Sequence, residues 1–328
     1  MQYPRGSVRG RLAVRQHRRP PSSMTCCFRA RCRRRCRGRR GPIDCTGALR
    51  HGWLYLSRDP YSYILKACML TLSLADLKKS ITAWRLWTLL GWLEIRQRYA
   101  RSRLGPFWLT ISMGVMITSL GVVYGTLFGQ KINEYLPFLA ASIVLWGLFS
   151  TTIVEGSVAY ISSAPYIRQM ATPKLIYILQ VVWRNLIVLA HNFVIVVGLL
   201  AIFGVKRWDT LPVFIPALAV YVLNAMWIAM MVGLLSARFR DLPQIVSALL
   251  QVAFYVTPII FRPDALNRFS FIVEWNPLAY LIDLVRSPLI GQMPSELTWA
   301  VTIGMAAVGW PLALLMTGRY LKRIPYWV

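Results

Sequence analysis

A chain of 328 residues that is 56% hydrophobic and only 15% charged, with mean hydropathy +0.48, cannot hide its apolar surface inside a water-soluble fold. Hydrocarbon removes that constraint, because a bilayer solvates apolar faces directly. The net charge of +26 would suit a nucleic-acid partner, but fifteen arginines against one acid, Asp44, sit in residues 1–50, and the cations of the body flank apolar runs, so no nucleic-acid partner is expected.

Residues 1–68 form an Arg/Cys-rich extension. Runs such as Arg33-Arg34-Arg35 and Arg39-Arg40 come with few apolar residues, so this stretch is expected to be disordered. No apolar segment of the length of a secretory signal follows the arginines. Cys26, Cys27, Cys32, Cys36 and Cys45 lie here with Cys68, but they lack the paired spacing of zinc modules, and no metal site is expected. An arm of this charge suits anionic lipid; the reading adopted is an extension without a role, a mis-called start, with Met69 opening the functional chain.

Residues 69–105 read as a cytoplasmic interfacial region. Within 78–103, Ile81, Trp84, Thr88, Gly91, Trp92, Ile95 and Tyr99 recur at helical spacing, and arginines gather toward the C-terminal end. Trp84, Trp87 and Trp92 suit the headgroup layer, so the helix is expected to lie on the membrane.

Residues 106–318 carry six apolar runs, at about 106–128, 136–160, 178–203, 211–236, 245–261 and 297–318, each near the ~20 residues a bilayer core needs. The expected fold is all-α, with six transmembrane helices. Fourteen Lys and Arg fall on one set of connections and six on the other, which puts both termini and the tail 319–328 in the cytoplasm. Gly121, Gly125 and Gly129 share one face of the first span, as close helix packing requires. Pro258 interrupts the fifth span. The following 262–296 holds stretches too short to cross, separated by Trp275-Asn276-Pro277; two short helices at the external surface are expected, dipping back as re-entrant segments where protein covers them.

No G-x-x-x-x-G-K-[ST], H-E-x-x-H or G-x-S-x-G occurs, so no catalytic residue, cofactor or metal is assigned to the chain. Within the spans, Glu155 and Arg184 are expected to pair near the cytoplasmic face, either as a structural bridge or as part of a transport path. The polar segments 165–175 and 237–243 read as docking elements or as solvated loops.

Three runs carry a resemblance: RQRYARSRLGPFWLTISMGVM (96–116), YLPFLAASIVLWGLFSTTIVEG (135–156) and ARFRDLPQIVSALLQVAFYVTPIIF (237–261), followed by WNPLAYLIDLVRSPLIG (275–291). In order, they resemble the type 2 ABC exporter permeases of the O-antigen and capsular polysaccharide export branch, over roughly residues 70–325. The resemblance implies a homodimer in the bacterial inner membrane, bound to a separate ABC ATPase that carries ATP and Mg. It implies that Arg168, Gln169 and Pro173 face that ATPase, with Glu94 and Arg98 of the interfacial helix nearby. The implied cargo is a glycan on undecaprenyl diphosphate. Tyr124, Trp146, Phe149, Phe254 and Tyr255 are candidates for lining its path, with ordinary packing the alternative for each. Arg98, Arg101 and Arg103 are candidates for the diphosphate headgroup. The same fold with another cargo (teichoic acid or a drug) is the nearest rival. A membrane enzyme of polysaccharide assembly is disfavoured by the scattered acids, and an ion-coupled carrier by the lack of internal repeats.

Overall fold

The computed structural model describes residues 60–100, 105, 107–170, 172–204, 208–262 and 270–328. Arg101, Arg103 and most of the N-terminal extension lie outside them. Among the described residues there are helices and no strand: α1 (Pro60–Thr82), α2 (Trp84–Tyr99), α3 (Phe107–Leu127), α4 (Ile132–Ser162), α5 (Ala164–Gln169), α6 (Ile176–Phe203), α7 (Leu211–Arg238), α8 (Leu242–Val256), α9 (Ser270–Glu274), α10 (Pro277–Leu289), α11 (Glu296–Tyr320) and α12 (Ile324–Trp327). Helix α1 begins inside the stretch expected to be disordered. The local reason is plain: Pro60 suits the first helical position, and the segment after it is free of glycine and arginine.

Among the described residues five helices, α3, α4, α6, α7 and α11, are long and apolar enough to cross a membrane. The chain is a multi-pass membrane protein. Where the sequence suggested a sixth span over 245–261, the structure has α8, fifteen residues and about 22 Å long, against a hydrocarbon core of ~30 Å. The helix stops because Thr257 precedes Pro258 and takes an extended backbone, φ −89° and ψ 140°, as residues before proline do.

Helix α4 is the central element, buried along most of its length by α3, α6, α7, α8 and α10. Small residues set how close its neighbours come. A Cβ on Gly156 would stand 2.7 Å from the Cβ of Ala229 on α7, and one on Gly233 would stand 2.6 Å from the Gly156 carbonyl oxygen. The glycine face of α3 is used within the chain: Gly121 meets Leu136, and Gly125 meets Tyr135. Gly129 is not on that face. It ends the helix with φ +60°, while Gln130 N–H donates to the Gly125 carbonyl at 2.9 Å and Gly129 N–H to that of Thr126 at 3.2 Å, the hydrogen bonds of a Schellman cap.

The bundle has two ends. One gathers α5, the α7–α8 turn, α12 and the C-terminal end of α11. The other gathers the start of α4, the end of α6, and α9 with α10. Segment 257–261 carries the chain on from α8 to this second end, where the Tyr135 hydroxyl of α4 donates to the Ile260 carbonyl at 2.6 Å. Asn276 caps α10 by accepting from Leu278 N–H at 3.0 Å, and Pro277 occupies the first helical position. The apolar face of α10, with Leu281, Ile282, Leu284 and Val285, is buried in the bundle core.

Candidate translocation groove and coupling face

Charged residues are scarce in the apolar helices, and two of them, Glu155 of α4 and Arg184 of α6, meet two charges of α2 at the α5 end. Arg184 of α6 donates to Glu155 of α4 at 2.7 Å and also pairs with Glu94 of α2. Arg98 of α2 reaches the other oxygen of Glu155 at 3.2 Å. Asn185 donates to Glu155 at 2.8 Å, and the Gln180 amide donates to Glu94. Two cations thus face two carboxylates across three helices. The balance matters, because Arg184 is only 11% exposed and a lone charge at that depth is costly. Helix α2 comes this close because Gly91 lies against Trp183 and the Gln180 carbonyl, beside an edge-on contact of Trp87 with Trp183 at 5.9 Å.

Glu155 also opens onto a groove of about 530 Å³ between α4 and α8. Trp146, itself mostly buried, and Phe254 touch in its wall with ring centroids 5.9 Å apart, and Tyr255 stands edge-on to Phe254 at 5.3 Å and is 65% exposed. Ser150, Thr151, Ser247 and Gln251 add hydroxyl and amide groups. Aromatic side chains thus alternate with neutral hydrogen-bonding groups, with one carboxylate among them. Three of the five aromatic candidates, Trp146, Phe254 and Tyr255, meet here. Phe149 is 2% exposed and packs on Tyr221 in the core, and Tyr124 stacks on Phe128 along α3; neither lines this groove.

At the α5 end, Ile167 is buried while Tyr166, Arg168, Gln169 and Met170 face outward. Arg168 Nε donates to the Val328 carbonyl at 2.9 Å, and Arg240 of the α7–α8 turn donates to the Trp327 carbonyl at 3.2 Å. Helix α12 is therefore clasped by both segments that the sequence marked for docking. Pro173 is half-buried beside a second anchor, Asp76 of α1, whose carboxylate accepts from Lys174 N–H at 3.0 Å and Leu175 N–H at 3.1 Å. Burial raises the Asp76 pKa above its usual 3.8, against the opposing pull of those N–H groups and of Lys174, and burial lowers that of Lys174.

Residues 85–290, the stretch that holds the cluster, the groove and α5, match the ABC-2 type transporter family. The chain belongs to that family. It is also similar to O-antigen export system permease proteins RfbA. Two from Klebsiella pneumoniae are each 24% identical over 191 residues, covering 58% of this chain and 74% of the relative. One from Myxococcus xanthus is 24% identical over 196 residues with the same coverage. An ABC-2 chain is the membrane component of a transporter, which accords with the absence of a phosphate-cradling loop here.

Of the headgroup candidates, only Arg98 is described, and it is engaged with Glu155; Arg101 and Arg103 lie outside the described residues. Sequence reasoning missed the grip of Asp76 on the start of α6. Its signal was its rarity, an acid in a body that holds only eleven.

Proposed function

We propose that this ABC-2 chain is the permease of an ATP-driven exporter that moves a lipid-linked polysaccharide of O-antigen type from the cytoplasm across the bacterial inner membrane. The observation that carries the reading is the α4–α8 groove, whose aromatic faces suit the apolar C–H faces of sugars and whose Ser, Thr and Gln side chains suit their hydroxyls. The names of its relatives agree with it.

In this reading α8, continued by the turn at 257–261 that reaches Tyr135 at the second end of the bundle, makes a sixth crossing. Both termini then lie on the cytoplasmic side with α5, where the excess of Lys and Arg belongs. Two copies meet so that their grooves enclose one path. A separate ABC ATPase binds ATP with Mg, and its closure pushes on Tyr166, Arg168, Gln169 and Pro173. Glu94 and Arg98 pass the motion to α4 and α6 through the ion-pair cluster. Arg98, Arg101 and Arg103 attract the carrier diphosphate at the inner leaflet. The permease makes and breaks no covalent bond.

The test is genetic and biochemical. Deletion of the gene is expected to strip polysaccharide from the cell surface while the lipid-linked polymer accumulates inside. An ATPase encoded beside it is expected to co-purify, with turnover altered by Arg168→Glu. Unchanged surface polysaccharide in the deletion strain would falsify the reading.

A further inference from the structure

At the α10 end, away from the groove, lies a second cavity of about 530 Å³, between the start of α4, the end of α6 and α10. Among the described residues its charged lining is balanced. Arg262 stands 3.9 Å from Glu134, and Arg286 pairs with Asp283 at 3.1 Å. Both guanidinium groups lie over the ring of Phe138, at 5.6 and 4.3 Å. Arg286 is 2% exposed, fixed by donating to the Pro258 carbonyl at 2.7 Å and to Ser142 Oγ at 3.2 Å, yet its buried Nε has no hydrogen-bond partner in the protein. Asn133 and Gln292 complete the polar rim.

The chemistry of this lining selects among ligands. An anion gains from two arginines but is repelled by two carboxylates, and a cation meets the reverse. An apolar ligand would strip water from the solvent-accessible Glu134, Asp283 and Arg262 without replacing its hydrogen bonds. A neutral polyhydroxyl ligand suits every group, because each hydroxyl donates to a carboxylate and accepts from a guanidinium or amide. The buried Arg286 Nε is a donor that lacks an acceptor, the kind of group a ligand oxygen satisfies. Stacking on Phe138 and bonding to Pro258 hold the guanidinium groups before any ligand arrives, which lowers the ordering cost of binding. The volume falls within the roughly 300–1,000 Å³ of small-ligand sites.

We propose that this cavity is a glycan subsite, binding a neutral, hydroxyl-rich segment of the polymer as it leaves the bundle at the α10 end. The assignment of the polymer rests on the export reading above; the preference for hydroxyl-rich ligands rests on the cavity alone.

The test uses the full chain in lipid nanodiscs and, as probe, the surface polysaccharide of the source cell released from its lipid by mild acid. Saturation-transfer NMR is expected to report binding by the wild type. Asn133→Trp and Gln292→Trp, at two separate exposed rim positions, are each expected to weaken it at least tenfold, and the near-isosteric Glu134→Gln several-fold. Inorganic diphosphate is expected not to compete. No binding by the wild type, wild-type affinity in both tryptophan variants, or displacement of the polymer by diphosphate would each overturn the subsite. The deletion strain separates the two readings. Surface polysaccharide lost on deletion, with no binding in nanodiscs, removes the subsite and leaves export standing. Binding abolished by the rim variants, with surface polysaccharide intact on deletion, keeps the subsite and removes export.

Discussion

Arg184 on α6 holds Glu155 of α4 at 2.7 Å and Glu94 of α2 at the same time, so a single guanidinium joins three helices. The two carboxylates do not depend on it equally. Glu155 keeps Arg98 at 3.2 Å and Asn185 at 2.8 Å, and is 22% exposed, whereas Arg184 is the more deeply buried partner. Removing Arg184 leaves two carboxylates facing one remaining cation; removing the Glu155 charge leaves Arg184 still paired with Glu94.

Arg184→Met is therefore expected to cost about 3 kcal/mol, the scale for breaking a buried ion pair by deleting one partner. Glu155→Gln is expected to cost less than half of that, since the amide still accepts from Arg184. Thermal unfolding of the detergent-solubilised protein, followed by the fluorescence of its tryptophans, reads both. Equal losses in the two variants would refute the asymmetry.

Asp76 gives a pH signature. Because burial raises its folded pKa above 3.8, the folded chain binds its proton more tightly than the unfolded chain does. The stability due to a protonated Asp76 is fully present below 3.8 and is lost as pH rises through the higher folded value. Asp76→Asn cannot titrate, so its unfolding temperature is expected to lack that decline across the acidic range. Asp76→Ala leaves the N–H groups of Lys174 and Leu175 without their acceptor and is expected to cost about 1–3 kcal/mol at any pH. Parallel pH titrations of melting temperature check the pair; identical curves for wild type and Asp76→Asn would exclude the effect.

Local sequence chemistry made some of this legible. Asn276 with Pro277 marks a capped helix start, so the paired short helices α9 and α10 were readable without tertiary information. Glu155 and Arg184 stood out because charge in an apolar span demands a partner. Gly129 misled, since spacing places it on the face of Gly121 and Gly125, while its positive φ belongs to the cap that ends α3. Other features exist only once the chain has folded back on itself. Arg286 reads as an external topology charge, yet α10 returns into the bundle and buries it beside Ser142, 144 positions earlier in the chain. The clasp of Arg168 on Val328, 160 positions apart, has no local signal either. The shortness of α8 lay in view at Pro258, but only the extended Thr257 shows where the helix ends.

The aromatic residues of the groove and of the core separate by a simple comparison. Tyr255→Ala removes a largely exposed ring, so it is expected to change stability by no more than about 0.5 kcal/mol while, on the proposed export function, slowing export several-fold. Phe149→Ala empties a core site beside Tyr221 and is expected to cost about 3–5 kcal/mol, with export falling only as the amount of folded protein falls. Surface polysaccharide normalised to membrane-inserted protein distinguishes them. A normalised defect in Phe149→Ala with none in Tyr255→Ala would reverse the assignment.

The last expectation concerns the crossing of α4 and α7, which fixes both walls of the central bundle. A methyl group at Gly233 would approach the Gly156 carbonyl oxygen to 2.6 Å, and one at Gly156 would approach the Ala229 methyl to 2.7 Å. Backbone faces the added atom at Gly233, so no flexible side chain can swing away and the helices must part. Separation along a packed interface forfeits dispersion contacts over its whole length, and overpacking of this kind costs about 1–3 kcal/mol. Gly233→Ala is thus expected to lower the melting temperature despite alanine's better helix propensity, which favours the variant by about 1 kcal/mol. Gly198→Ala is the control, since nothing stands within 4 Å of the added carbon there. Propensity alone predicts that both variants gain stability; close packing predicts that Gly198→Ala gains and Gly233→Ala loses. A gain at both positions would mean that the two helices do not cross as closely as the glycine carbons require.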